Sequence, residues 1–111
     1  MTCRDALEFA TIAGARCANL DRKIGTLTPG KDADLLMLRM DDPNLWPVNN
    51  APGTVVNMMN PGHIDAVFIA GKVRKWRGKL VGVDMARAMR LVTESRDSLW
   101  RRAGYSVDFM A

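Results

Sequence analysis

Ile24-Gly25-Thr26-Leu27-Thr28-Pro29-Gly30-Lys31-Asp32-Ala33-Asp34-Leu35-Leu36-Met37-Leu38 carries the densest conformational instruction in the chain. It is expected to form two strands joined by a tight turn. Proline presets φ at about −65° for the second turn position, and Gly30 accepts the positive φ that a type II turn requires next. Thr28-Pro29-Gly30-Lys31 should therefore reverse the chain. Leu35 to Leu38 is an unbroken apolar run, the pattern of a strand covered on both faces and not of an exposed edge.

Upstream, Thr2 is placed to cap a helix, with Asp5 as a short-armed capping-box acid. The helix should run from Cys3 to about Ala18, with Asn19 as the left-handed residue that ends it. Leu7, Phe9, Ala10, Ile12, Ala13 and Cys17 go most of the way round it, so more than one side needs a cover. Ala13-Gly14-Ala15 would let another backbone approach closely. Cys3 and Cys17 lie about 21 Å apart along that axis, beyond disulfide reach. They are expected to be reduced, partly buried thiols.

Downstream, Asp41 to Gly53 carries three prolines and little periodicity, so it reads as a surface loop in which Asp41 and Asp42 form turns. Thr54 to Met59 fits a short helix or a strand. His63 is the single histidine; in the turn Asn60-Pro61-Gly62-His63 it is expected at the surface or as a cap, with no metal or catalytic role. Ile64 to Ala70 is a strand, and Ala70-Gly71-Lys72 a hairpin turn. Along Val73-Arg74-Lys75-Trp76 neighbouring side chains face opposite ways, so Trp76 turns away from Lys75 and is expected toward the core. Arg77-Gly78-Lys79 is the next turn, with Leu80 and Val81 in a short strand. Asp84 should cap a last helix that Gly104 stops. Met85, Met89, Val92, Leu99 and Ala103 recur along it at helical spacing, Trp100 widens the stripe, and Glu94 and Asp97 are placed to pair with Arg90 and Arg101.

These segments together resemble a known arrangement. The pattern I-G-x-L-x-P-G-K-x-A-D-L-L is similar to the segment by which metal-dependent amidohydrolases, of the cytosine deaminase and chlorotriazine hydrolase type, re-enter their small β-sandwich after the catalytic barrel. Asp5 to Arg16 resembles the last barrel-associated helix of that family, Ile64 to Val73 its final sandwich hairpin, and Met85 to Arg102 its closing helix. Roughly residues 1 to 103 are covered, in the family's order. In that family an H-x-H pair, two further histidines and an aspartate hold divalent metal at the mouth of a barrel. Such a barrel takes about 250 residues, whereas this sequence has 111 residues and one histidine. The resemblance therefore implies an amidohydrolase tail without its active site: no catalytic residue, no metal ligand and no cofactor is expected.

The resulting expectation is an α+β domain, a small and mostly antiparallel β-sandwich or half-barrel of about five strands. Helix 3–18, sandwich 22–82, helix 85–103 and tail 104–111 make one domain. Leu7, Phe9, Ile12, Cys17, Met85, Met89, Val92, Leu99 and Trp100 are the candidate interface, covered by another copy of the chain, a dimer first, or by a barrel-bearing partner chain. The net charge is +4 and uneven: residues 72–102 hold ten Lys or Arg against three acids. Lys72, Arg74, Lys75, Arg77 and Lys79 are thus the candidate anion-binding set, although a solvated basic face is the stronger expectation and a nucleic-acid partner the weaker. No apolar run reaches the length of a membrane span and no signal-peptide pattern opens the chain, so no membrane partner and a cytoplasmic location are expected. The functional expectation is a non-catalytic structural or self-association module. Its alternatives are part of a metal-dependent hydrolase of C–N or C–Cl bonds in cyclic substrates, with the barrel supplied elsewhere, and anion binding through the basic hairpin.

Overall fold

In the computed structural model, which describes residues 1–104, the chain falls into two compact units, one ending at Val81 and one beginning at Gly82. The tail beyond Gly104 lies outside the described residues.

The first unit opens with α1 (Cys3–Glu8), a π-helical turn (Phe9–Ala13) and α2 (Gly14–Cys17). The capping box forms as expected: the Thr2 hydroxyl accepts the Asp5 N–H at 3.2 Å, and the Asp5 carboxylate accepts the Thr2 N–H at 2.6 Å. Within the wider turn the Thr11 hydroxyl donates to the Leu7 carbonyl at 2.6 Å. Asn19 takes φ +56°, and Leu20 and Asn19 donate to the carbonyls of Ala15 and Arg16. Those two bonds satisfy carbonyls that the helix end would otherwise leave open.

The segment 24–27 is not a strand, and its geometry says why. Gly25 takes φ +92° and lies so close to the helix that a Cβ there would meet the Ala15 Cβ at 2.8 Å and the Ile12 Cα at 3.0 Å. The backbone that approaches the small-residue stretch is thus the chain's own. Lys31 fixes this loop by donating from Nζ to the carbonyls of Asp21 and Ile24, while the Asp32 N–H donates to the Lys23 carbonyl at 2.8 Å. The turn at Thr28–Lys31 forms as expected, closed by a 3.2 Å bond from the Lys31 N–H to the Thr28 carbonyl, with Gly30 at φ +91°.

The α+β class holds. Its sheet is a single open, antiparallel layer in the order β1 (Leu35–Leu38), β2 (Ile64–Ile69), β3 (Lys72–Trp76) and β4 (Lys79–Leu80). Two-residue turns link its last three strands; Ala70 and Arg77 take φ +48° and +47° there, the backbone hand that hairpins of this length need. β1 corrects the expectation of burial on both faces. It is an edge strand, and Leu36 and Met37 are 60% and 49% exposed.

Between β1 and β2 the chain is held by local caps. Asp42 accepts from the Asn44 N–H at the start of the 3-10 turn Pro43–Leu45, in the turn-forming role expected of it. Asn50 caps α3 (Ala51–Asn57), whose first turn contains Pro52. The ambiguous stretch therefore resolves as a helix, and one that starts before Thr54. The Asn57 side-chain amide donates to the Cys3 sulfur at 3.4 Å, tying α3 to α1. Both thiols are free, Cys3 half-buried and Cys17 exposed, so Cys17 lacks the partial cover expected of it. Buried apolar residues among those described are few: Ala15, Leu45 and Ala66.

The second unit is α4 (Met85–Ala103) with its caps. Asp84 accepts from the Arg87 N–H at 2.9 Å, and Gly104 ends the helix at φ +64°. Both ends fall where the sequence places them.

Candidate functional site: uncovered apolar faces and a basic ribbon

His63 is the one side chain that hydrolytic chemistry would recruit first, and its surroundings commit it to structure. Asn60 opens the 3-10 turn Pro61–His63. Its backbone N–H donates to His63 Nδ1 at 3.0 Å, so Nδ1 is the accepting nitrogen of the ring. Nε2 faces Asp42 Oδ2 at 3.6 Å, and Arg39 joins the same cluster through Asp41 at 3.0 Å and Asp42 at 3.7 Å. The capping role is as expected; the ring is buried and not at the surface. Among the described residues no three His, Cys, Asp or Glu side chains come together as a metal-binding group. The donor set present does not fit a divalent ion, because the one imidazole has its free lone pair already engaged.

What the described residues do offer is surface. On the first helix Phe9 is 60% exposed and Cys17 is open, while Leu7 and Ile12 are half-buried. The sheet adds apolar groups that sequence reasoning missed as contact residues. Leu36 and Val67 pair directly across β1 and β2, as do Met37 and Ala66, and neighbours along a strand point to opposite faces. Leu36 and Met37 therefore open on opposite faces of the sheet, and Ile69 and Leu80 are half exposed as well. The signal was in the sequence: an apolar run with no alternation needs two covers, and the chain supplies few residues for either. In α4, Met85, Met89, Val92 and Leu99 are all exposed and Trp100 half so.

The basic ribbon is β3, β4 and their turn. Lys72, Arg74, Arg77 and Lys79 are exposed, and Lys75, half-buried, donates from Nζ to the Pro61 carbonyl at 3.4 Å. Trp76 is not in a closed core: it is 46% exposed and meets Phe68 edge-on, ring centroids 6.4 Å apart.

Comparison with known proteins follows the same lines. The amidohydrolase family profile matches residues 1–74. The chain is 36% identical over 89 residues to a 5-methylthioadenosine/S-adenosylhomocysteine deaminase of Moorella thermoacetica, covering 80% of this chain and 21% of that protein. It is 35% identical over 95 residues to a 5'-deoxyadenosine deaminase of Methanococcus maripaludis, 86% of this chain and 22% of that one. Its backbone is similar to that of a zinc-bound adenosine deaminase from Xanthomonas campestris, with a TM-score of 0.84 and 25% identity over 87% of this chain and 22% of that one. An atrazine chlorohydrolase from Arthrobacter aurescens shares the fold at a TM-score of 0.75 and 23% identity, over 85% of this chain and 20% of that one. The chain spans about a fifth of the length of the curated relatives it matches.

Proposed function

Because the chain belongs to the amidohydrolase family, we propose that it is the non-catalytic packing module of a deaminase-like hydrolase and works by contact with a metal-bearing barrel. The observation that carries this reading is the sheet with apolar side chains open on both of its faces, beside a first helix that is apolar most of the way round. A layer of that kind needs a cover on each side. The relatives' names support an adenosine-type substrate for the complete assembly, whose amino group would leave as ammonia. This chain supplies neither metal ligand nor base to that step.

The test is reconstitution. The chain is mixed with a barrel-bearing polypeptide carrying the H-x-H strand, and zinc-dependent ammonia release from 5-methylthioadenosine is followed. Activity that needs both chains supports the reading; a barrel chain equally active alone, or inactivity of a stable complex, removes it. The open faces of the first helix and the sheet favour a second reading for the chain on its own, self-association, with Phe9, Leu36 and Met37 as contacts. Light scattering decides that: a monodisperse monomer at high concentration rules it out.

A further inference from the structure

The apolar stripe of α4 has a cation set into it. Met85, Met89, Val92, Leu99 and Ala103 fall on a series of alternating four and three spacings that only Arg96 completes. At about 3.6 residues per turn all six positions share one face. Met89 and Val92 are 66% and 70% exposed, and Val92, Ser95, Arg96, Leu99 and Trp100 border a shallow groove on the helix. Arg96 is held in place by its own helix. Its Nε and Nη2 donate to Asp97 Oδ1 at 2.9 and 2.7 Å, and its guanidinium lies 4.7 Å from the Trp100 ring centroid. A guanidinium has five N–H donors, so this one keeps donors beyond the two used on Asp97. A preoriented planar fork inside an apolar stripe is a receptor for a carboxylate.

We propose that α4 docks by this face against an apolar, helix-sized groove on a protein surface that presents a carboxylate to Arg96. A second α4 is the wrong occupant. The face carries no acid: Glu94 lies on the opposite side, where it meets Arg90 at 3.8 Å, and Asp97 is engaged with Arg96. Two copies would set Arg96 against apolar side chains, and the five arginines of each helix would repel. The complementary surface is apolar with acidic chemistry. It rests on the packing-module reading only for its source, the barrel-bearing part of the hydrolase.

The experiment uses the full chain and two labelled helical peptides of about three heptads, with leucine at every a and d position except one central d site. That site is glutamate in one peptide and lysine in the other. Fluorescence anisotropy should show the glutamate peptide binding about tenfold or more tightly, and Arg96→Glu should reverse the preference in favour of the lysine peptide. The reversal is the decisive readout, since a variant that merely unfolded α4 would lose both peptides alike; circular dichroism checks its helix. Equal affinity for the two peptides overturns the proposal. So does concentration-dependent dimerisation that excludes both peptides, or phosphatidylglycerol vesicles that bind the chain and displace them. No step of this test reads catalysis, so failed reconstitution and failed docking remain separate results.

Discussion

Asp34 Oδ1 accepts the backbone N–H of Ala70 at 2.7 Å across 36 positions of sequence. The bond joins the loop that enters β1 to the turn between β2 and β3, at a residue whose φ of +48° is unfavourable for alanine. A second bond, from the Gly71 N–H to the Ala33 carbonyl at 3.0 Å, runs beside it. Ala33-Asp34 is thereby a clamp on the hairpin. Replacing Asp34 by alanine should cost about 1–2 kcal/mol, the value of a partly solvated charge-assisted bond, read as a lower urea midpoint. A midpoint unchanged from wild type would show that the clamp carries no stability.

Gly25 and Gly30 take almost the same φ, +92° and +91°, in different surroundings: a Cβ at Gly25 would strike Ala15 and Ile12, whereas nothing lies within 4 Å of one at Gly30. Gly30→Ala should cost about 1 kcal/mol, the conformational part alone. Gly25→Ala should cost about 2–4 kcal/mol, since overpacking adds to it. Equal losses in thermal unfolding would mean that the loop yields freely and does not hold the helix.

His63→Leu keeps the volume of the buried ring and removes the acceptor of the Asn60 N–H. It should destabilise by about 1–3 kcal/mol. The metal arm of this prediction is chelation: with no donor group assembled among the described residues, melting with and without EDTA should coincide. A chelator-dependent fall in Tm would reveal a bound ion.

Leu45 is wholly buried and Leu36 60% exposed, so chemically similar changes should separate. Leu45→Ala should cost about 2–5 kcal/mol, and Leu36→Lys should stay within about 0.5 kcal/mol while lowering the binding of an apolar dye. Loss of stability in the lysine variant would place Leu36 in a core after all.

Much of this was legible from the residues. The turn Thr28–Lys31, the cap at Thr2, the left-handed Asn19 and both ends of α4 follow from local chemistry that works wherever the chain is placed. What failed to read was tertiary. Leu35–Leu38 has the composition of a covered strand, yet Leu36 and Met37 stay exposed among the described residues. Ile24–Leu27 looks extended until Ala15 offers Gly25 a surface to lie on. Asp97 pairs with Arg96 and not with the Arg101 side chain, whose Nε instead reaches the Asp97 carbonyl at 3.3 Å; helical spacing alone does not decide between such neighbours. The start of α3 could have been found: Asn50 followed by Pro52 is a helix-opening pair.

The open side of β1 has a practical meaning for anyone who prepares this polypeptide. A rim of amide and carbonyl groups without a neighbouring strand, flanked by bare leucine and methionine, is a template on which further copies can stack strand upon strand. Solubility, more than the midpoint of unfolding, is expected to set how concentrated a sample can be made.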